Sequence, residues 1–269
     1  MNTSLTDEQV AQYQRDGALI YRNFLSEDEV DSLLQAISDA VTALGGQKVA
    51  GNREFGSEEK KEDDYYDNVF LQRVNLWKVN DRIKSIFLGP ELGKMVSTLA
   101  GVDGMRVWHD QTLQKMPWSN PTAWHLDNPY WSFHSRNAIS IWIALDDATP
   151  ENGCMYYLPG THKTSEFDRN VPIGPNVGNL LKAYPEWREI EPVVGAMKRG
   201  DCGFHNGMTA HGAGANMTPG YRRAMTCGYM PDGSVFNGKK NILPTDYFQT
   251  LSEGDPLDNE ELNPLVYSA

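Results

Sequence analysis

The segment Thr122-Ala123-Trp124-His125-Leu126-Asp127 is the part of this chain from which we infer both a β fold and a candidate metal site. Its β-branched and aromatic residues favour an extended strand. Residues two positions apart on a strand project from the same face, about 6.6 Å apart, so His125 and Asp127 would share a face that excludes Leu126. An imidazole and a carboxylate on one face can hold a metal ion if another part of the chain supplies a further ligand.

Similar short β-prone segments follow one another beyond residue 103, and turn signals such as Asn152-Gly153 and Pro159-Gly160 separate them. Eight or so short strands without helical periodicity between them predict a mainly β fold, a double-stranded β-helix (jelly roll, cupin-like). The predicted strands are residues 104–109, 111–116, 122–127, 138–145, 154–158, 192–197, 202–205 and 222–229.

The first hundred residues predict helices that pack around this core, so the helices would be mostly N-terminal. Thr6-Asp7-Glu8-Gln9 and Ser26-Glu27-Asp28-Glu29 fit the capping box that opens a helix. A further helix is predicted from Pro90, which suits the first helical position, to Gly101. Between the first two helices, Ala18-Leu19-Ile20-Tyr21 is typical of a short apolar strand.

We predict one domain over residues 1–269. It would comprise a mainly helical N-terminal part (1–101), the jelly-roll core (102–230) and a C-terminal extension (231–269). The charge-rich residues 47–66 predict a solvated loop. Residues 161–191 form a long connection with little apolar pattern, which is typical of a lid or a binding segment.

Composition excludes several classes of partner and compartment. The formal net charge of −12 over 269 residues disfavours nucleic acid or an anionic membrane as partner. The three cysteines lack a CxxC pair, so we expect reduced thiols. The chain starts without a secretory signal pattern and contains no apolar run near the ~20 residues of a membrane span, which predicts a cytoplasmic protein. Its oligomeric state is left open.

A third metal ligand has to come from another histidine. His109 is followed directly by Asp110, and neighbours on a strand face opposite ways, so this pair cannot chelate one ion, and His109 is expected to be a packing or surface residue. His134 and His162 fit surface positions. The candidates that remain are His205 and His211.

The residues after His211 favour it as the ligand. Glycines in His211-Gly212-Ala213-Gly214 would let the backbone pass close to a bound ligand. A turn at Pro219-Gly220 then leads to Arg222 and Arg223, of which only one can point at the site. A guanidinium there could bind a carboxylate with two parallel hydrogen bonds. The alternative is a buried, hydrogen-bonded histidine at position 211 with two surface arginines.

The order of these motifs resembles the phytanoyl-CoA dioxygenase family of Fe(II)/2-oxoglutarate oxygenases, and the resemblance covers nearly the whole chain. The residues that carry it are Asp16-Gly17, Phe24-Leu25-Ser26, His125 and Asp127, Trp142-Ile143-Ala144-Leu145-Asp146-Asp147, Glu151-Asn152-Gly153-Cys154, Leu158-Pro159-Gly160-Thr161-His162, Gly200-Asp201, His211-Gly212 with Gly214 and Asn216, and Arg222-Arg223-Ala224.

The resemblance implies a role for several individual residues. His125, Asp127 and His211 would bind Fe(II), and Arg222 would hold the distal carboxylate of 2-oxoglutarate. Trp142, Gln111 and Lys115 match positions that line the co-substrate pocket. Ala213 departs from the family, because many members have a serine there that also touches 2-oxoglutarate.

The resemblance also implies a reaction, in which O2 oxidises a substrate C–H bond while 2-oxoglutarate is converted to succinate and CO2. Asp127 argues for hydroxylation, or for a desaturation or cyclisation by the same intermediate, since related halogenases have a small residue at this position. Desaturation, cyclisation or epimerisation with the same cofactors is the alternative, and a non-catalytic jelly-roll binding protein is a third reading. We expect the substrate to be a small metabolite or natural-product intermediate. Asn128, Tyr130 and Trp131 either face this substrate or belong to the core.

Overall fold

Two antiparallel sheets form the centre of the computed structural model, which describes residues 1–44, 65 and 68–269. Seven strands form the larger sheet, in the order β1-β8-β5-β10-β3-β11 with β2 also paired to β3, and the smaller sheet has the order β4-β9-β6-β7. The strands are β1 (Ala18–Tyr21), β2 (Leu71–Val74), β3 (Gly104–Lys115), β4 (Thr122–His125), β5 (Ile139–Ala144), β6 (Met155–Tyr157), β7 (Val193–Gly195), β8 (Cys202–Asn206), β9 (His211–Ala213), β10 (Arg222–Pro231) and β11 (Leu265–Ser268).

The longer helices precede β3, as expected, and two four-residue helices follow later in the chain. Both predicted capping boxes are confirmed, at Thr6 and Ser26, and Pro90 opens a helix that ends before Gly101. The helices are α1 (Asp7–Asp16), α2 (Glu27–Ala43), α3 (Asp81–Phe87), α4 (Pro90–Ala100), α5 (Leu180–Ala183) and α6 (Thr245–Phe248). Helices are therefore not confined to the N-terminal part. In the described part of the chain, no helix has the length and apolar character that crossing a membrane requires.

The larger sheet has one face against the helices and the other face toward the smaller sheet, as the side chains of strand β5 show. Ile139, Ile141 and Ile143 pack in one cluster with buried residues of α1 to α4. Trp142 and Ala144 project from the opposite face and pack with residues of β6 and β9 from the smaller sheet. The alternation of side chains along one strand thus directs Trp142 into the space between the two sheets.

The strand prediction was wrong at several places. Residues 104–109 and 111–116, predicted as two strands, are the single strand β3, and β2, β9 and β11 were not predicted. Asp110, which lies between the two predicted strands, stays in the ladder opposite Cys227, and its carboxylate accepts hydrogen bonds from the backbone N–H groups of Leu76 and Trp77, at 2.8 and 2.7 Å. The predicted loop at 47–66 lies, apart from residue 65, outside the described residues.

The C-terminal residues 231–269 contribute to the larger sheet, because β11 pairs with the start of β3. The buried Arg106 on β3 holds this segment through ion pairs to Asp232 at 2.5 Å and Glu260 at 2.6 Å. It also donates to the carbonyl oxygen of Asn263 at 3.0 Å. The predicted C-terminal extension is therefore bound to the larger sheet.

We expect Asp201→Ala to lower the free energy of unfolding by about 3 kcal/mol, because it removes the charged acceptor of two partly buried backbone N–H groups. The Asp201 carboxylate accepts from the N–H groups of Asn23 at 2.8 Å and Lys198 at 2.9 Å, and it pairs with Arg22 at 2.7 Å. Urea unfolding measures the change, with the exposed Asp103→Ala as control, for which about 0.5 kcal/mol or less is expected. Equal losses in the two variants would contradict this account of Asp201.

Candidate metal and co-substrate site

Strand pairing brings the three candidate metal ligands together. His125 ends β4, His211 begins β9, and these two residues are direct partners in the ladder between the strands. Asp127 is not on a strand as predicted, because β4 ends at His125 and Asp127 has helical angles, φ −79° and ψ −52°, at the start of a short turn. Its backbone N–H donates to the carbonyl oxygen of Gly207 at 3.0 Å, which fixes this departure from the strand.

The side chains of His125, Asp127 and His211 converge on one point. Oδ1 of Asp127 lies 3.6 Å from Nε2 of each histidine, and the three potential ligand atoms all lie within 4.8 Å of one another. Nδ1 of His125 lies 2.8 Å from the carbonyl oxygen of Ala123, and Nδ1 of His211 lies 2.9 Å from that of Thr209. Carbonyl oxygens only accept, so both protons sit on Nδ1 and the Nε2 lone pairs face the common point.

The electrostatics of the site favour the protonation states that a metal needs. Burial, together with His125 and His205, lowers the pKa of His211 well below its usual value, so its imidazole is neutral. Burial raises the pKa of Asp127, but the neighbouring imidazoles outweigh it and hold this pKa well below the usual aspartate range. A neutral imidazole and an ionised carboxylate are the forms that bind metal ions.

The second carboxylate oxygen of Asp127 is held by two residues that were not predicted to act there. Nε2 of His205 lies 3.1 Å from Oδ2, and the Ser140 hydroxyl donates to the same oxygen at 3.3 Å. With Asp127 ionised, the first contact requires a proton on Nε2 of His205. Oδ1 is thereby left facing the other two histidines.

Arg222 is a buried cation without a carboxylate partner among the described residues. It is 2% exposed, donates to the carbonyl oxygen of Leu113 at 3.3 Å, and lies 5.1 Å from the ring centroid of Trp142. Its Nε has no hydrogen-bond partner in the part of the chain that the structure describes. Burial lowers the pKa of Arg222 to about 10, which still leaves it charged at neutral pH. Arg223, its neighbour, faces away and pairs with Asp146 at 2.6 Å.

One cavity of about 620 Å³ contains the three candidate ligands together with Arg222. Trp142 and Gln111 line it, whereas Lys115 and Asn128 are not among its described lining residues. The remaining wall contains polar and apolar residues from several parts of the chain, and its apolar part includes Phe70, Val74, Tyr130, Trp131, Ile173 and Ile242.

His109 and His205 also line this cavity and were not predicted as site residues. His109 is buried, which agrees with the packing alternative and not with the surface one. Its place could have been inferred from Gln111, since His109, Gln111 and Leu113 alternate along β3 and all line the cavity. His205 was one of the two candidates for the third metal ligand. Its distance in sequence from Asp127 does not predict the contact between the two side chains.

Lys115 is completely buried, and its amine nitrogen Nζ lies 2.6 Å from the carbonyl oxygen of Asn120 and 3.5 Å from that of Val69. Burial and the nearby Arg222 lower the pKa of Lys115 to about 6. In the unfolded chain a lysine has a pKa of about 10.4. Between these values the unfolded chain binds more protons than the folded one, so the stability of the fold rises with pH.

We therefore expect Lys115→Met to lose a pH dependence of stability that the parent protein has. The slope of the unfolding free energy between pH 7 and pH 9 should fall by about 1.4 kcal/mol per pH unit. Urea unfolding at several pH values measures it, and the exposed Lys94→Met is the control that should keep the parent slope. Parallel pH curves for the parent protein and Lys115→Met would show that this amine is charged in the fold.

The residues present fit a ferrous ion and a 2-oxo diacid. Two neutral imidazoles and one carboxylate directed at a single point are the donor set of a facial triad, which leaves further positions on the metal open. The buried Arg222, with an unpartnered Nε, offers the fork that a carboxylate accepts. A metal site and an anion site thus lie in the same cavity.

Comparisons with known proteins agree with this fit. Residues 13–224 match the family model described as phytanoyl-CoA dioxygenase (PhyH). A probable alpha-ketoglutarate-dependent hypophosphite dioxygenase from Stutzerimonas stutzeri is 28% identical over 228 residues, which cover 82% of this chain and 77% of that protein.

Two solved structures are similar over almost their whole length. One is the non-heme alpha ketoglutarate dependent carbocyclase SnoK from nogalamycin biosynthesis, with a TM-score of 0.80, 27% identity and coverage of 98% of this chain and 97% of that chain. The other is the epimerase SnoN in complex with Fe3+, alpha ketoglutarate and nogalamycin RO, with a TM-score of 0.75, 26% identity and coverage of 97% and 98%.

Proposed function

The chain belongs to the phytanoyl-CoA dioxygenase family, and from this premise we propose that it hydroxylates an unactivated C–H bond of a small metabolite or natural-product intermediate. The protein is a non-haem dioxygenase that depends on Fe(II), 2-oxoglutarate and O2. The observation that carries the proposal is the convergence of His125, Asp127 and His211 beside the buried Arg222.

In this proposal His125, Asp127 and His211 hold the iron, and Arg222 binds the distal carboxylate of 2-oxoglutarate. When bound, the metal and the 2-oxo acid supply the activation of O2 that oxidation of a C–H bond requires. Trp142 and Gln111 line the co-substrate pocket. Lys115 is not among the described lining residues of this pocket, and its amine donates to the carbonyl oxygen of Asn120 instead.

The protein's own residues orient the site and keep water out. The carbonyl groups of Ala123 and Thr209 fix the two histidine rings, and the contacts of His205 and Ser140 fix the carboxylate of Asp127. The apolar wall of the cavity limits water around the reacting C–H bond.

The fold around this site is proposed to be a double-stranded β-helix in one domain. Support comes from the order β8-β5-β10-β3 in the larger sheet facing β4-β9-β6-β7 in the smaller one, all antiparallel. Successive strands from β3 to β6 alternate between the two sheets, as they do in a jelly roll.

We expect His205→Ala to weaken Fe(II) binding by about 10- to 100-fold, because it releases Oδ2 of Asp127. His205→Gln should recover part of the affinity, since an amide can donate to the same oxygen. Anaerobic titration with Fe(II) in the presence of 2-oxoglutarate, followed by absorbance, measures binding without turnover. The exposed His134→Ala is the control. Unchanged affinity in His205→Ala would show that this histidine does not position Asp127.

Desaturation, cyclisation and epimerisation are the alternative reactions. The similarity to a carbocyclase and an epimerase supports the last two as alternatives. Purified protein with Fe(II), 2-oxoglutarate and candidate metabolites, assayed for succinate and for product mass, tests all outcomes together. A gain of one oxygen supports hydroxylation, a loss of two hydrogens supports desaturation or oxidative cyclisation, and an unchanged mass supports epimerisation. Absence of Fe(II)-dependent succinate formation with every candidate would favour the non-catalytic binding protein.

A further inference from the structure

His109 lies in a row of residues that crosses the larger sheet beside the metal ligands. Strand pairing places His109 of β3 opposite Gly228 of β10, which in turn lies opposite Ser140 of β5. Ser140 is paired with His205 of β8, and both hold the carboxylate of Asp127. Paired residues project from one face of a sheet, and neighbouring strands lie about 4.8 Å apart, so about 10 Å separate the Cα atoms of His109 and Ser140.

This row lies far from the end of the cavity that binds 2-oxoglutarate in the proposed function. Arg222 and Gly228 are six residues apart on β10. A strand rises about 3.4 Å per residue, so about 20 Å separate their Cα atoms. 2-Oxoglutarate has a chain of only five carbons, and its place is between Arg222 and the metal ligands. The part of the cavity beside His109 is therefore left to the substrate.

The imidazole of His109 has a nitrogen that accepts no hydrogen bond from the described residues. Nδ1 lies 3.3 Å from the carbonyl oxygen of Asp110, which only accepts, so the proton sits on Nδ1 and Nε2 carries a lone pair. His109 is buried and lines the cavity, yet Nε2 has no hydrogen-bond partner in the part of the chain that the structure describes. Buried polar atoms are nearly always hydrogen-bonded, so this acceptor indicates a donor on the bound molecule.

Burial keeps this imidazole neutral. It lowers the pKa of His109 to about 4, although the Asp110 carbonyl group and the Asp127 carboxylate act in the opposite direction. A neutral imidazole with its proton on Nδ1 accepts at Nε2 and cannot donate there. The bound molecule must therefore supply the proton, and a hydroxyl is the smallest uncharged group that does so.

Aromatic packing fixes the orientation of His109 and provides an apolar surface next to it. The ring centroids of Trp131 and Trp108 lie 6.4 and 6.2 Å from that of His109, both edge-on. Trp131 covers Gly228, where an added Cβ would lie 3.2 Å from Cζ2 of the indole. Trp131 and Ile242 pack in one apolar cluster and both line the cavity. An acceptor of fixed direction thus lies beside an apolar wall.

From these observations we infer that the substrate carries a hydroxyl group, which donates a hydrogen bond to Nε2 of His109, on an apolar framework that packs against Trp131 and Ile242. His109 thereby selects the substrate and orients its framework so that one C–H bond faces the iron site. This inference rests on the proposed function, because it assigns Arg222 to 2-oxoglutarate and the other end of the cavity to the substrate.

Binding of two matched naphthyl ligands tests the inference without requiring the true substrate. The anaerobic protein, saturated with Fe(II) and 2-oxoglutarate, is titrated calorimetrically with 2-naphthalenemethanol and with its methyl ether, which lacks the hydroxyl proton. We expect the alcohol to bind the parent protein about five- to tenfold more tightly than the ether, since the ether leaves Nε2 of His109 unpaired.

His109→Phe keeps a ring of similar size but removes the acceptor. In this variant the alcohol should bind no more tightly than the ether. The ether should bind at least as tightly as it binds the parent protein, because no nitrogen is left unpaired, and its binding shows that the cavity is intact. His109→Gln should recover part of the preference, since an amide oxygen also accepts.

The exposed His134→Phe is the matched control and should keep the parent preference. Equal affinities of alcohol and ether for the parent protein, undetectable binding of the alcohol, or a preference for the alcohol that survives in His109→Phe would overturn the inference.

A separate assay of the parent protein distinguishes this failure from failure of the proposed function. Normal Fe(II)-dependent succinate formation together with equal affinities of alcohol and ether overturns the hydroxyl inference alone. A preference for the alcohol that depends on His109, without any succinate formation, overturns the hydroxylase proposal and supports a cavity that binds a hydroxylated ligand.

Discussion

Asp127→Ala is expected to reduce Fe(II)-dependent conversion of 2-oxoglutarate to succinate by at least about a hundredfold, and His125→Ala and His211→Ala should do the same. Loss of residues that merely support metal ligands commonly costs 10- to 100-fold in metal affinity or activity, so loss of a ligand should cost at least as much. In Asp127→Ala the two imidazoles would also lose the anion that lies 3.6 Å from each Nε2. Succinate release at saturating 2-oxoglutarate measures the effect.

His134→Ala is the matched control for these variants. His134 is exposed and stacks on Phe167 with ring centroids 4.6 Å apart, so it carries the same type of side chain away from the triad. Circular dichroism and thermal unfolding of each variant separate loss of the metal site from loss of the fold. A folded Asp127→Ala protein that forms succinate at the parent rate would refute the assignment of this carboxylate.

Arg222→Ala is expected to raise the 2-oxoglutarate concentration needed for half-maximal succinate formation by about 100-fold. Hydrogen bonds to charged groups contribute about 1.5–3 kcal/mol each, and a tenfold change in affinity corresponds to about 1.4 kcal/mol. Arg222→Lys keeps the charge but loses the bidentate hydrogen bonding of the guanidinium, so we expect a 2-oxoglutarate requirement between those of the parent protein and Arg222→Ala. Initial rates over a range of 2-oxoglutarate concentrations give the value for each variant.

Arg223→Ala offers a control at the neighbouring position of the same strand. Arg223 pairs with Asp146 rather than facing the cavity, so its loss should leave the 2-oxoglutarate requirement unchanged and lower stability only slightly. Equal increases in the 2-oxoglutarate requirement for the two alanine variants would mean that neither arginine is a specific anchor.

Short sequence motifs predicted the starts of the N-terminal helices correctly. The capping boxes at Thr6 and Ser26 and the helix from Pro90 depend on hydrogen bonds and backbone angles within a few residues, so the sequence predicts them directly. The strand that begins at His211 depends on distant partners instead. Gly212 fits there because an added Cβ would lie 2.9 Å from the Thr122 carbonyl oxygen of the neighbouring strand, a close approach that spacing alone does not indicate.

Site geometry was predictable only where residues are close in sequence or match a known family. The pair of His125 and Asp127 could be inferred from two-residue spacing, although Asp127 reaches the metal point from a turn rather than from the strand. The contact of His205 with Asp127 joins residues 78 positions apart. Such contacts depend on how distant segments pack.

The measurement that tests the central claim most directly is a crystal structure of the protein grown anaerobically with Fe(II) and 2-oxoglutarate, with anomalous scattering recorded on both sides of the iron absorption edge. We expect one strong iron peak bound by Nε2 of His125, Nε2 of His211 and a carboxylate oxygen of Asp127. The distal carboxylate of 2-oxoglutarate should pair with Arg222. An iron peak elsewhere, or His211 turned away from the other two ligands, would contradict the account.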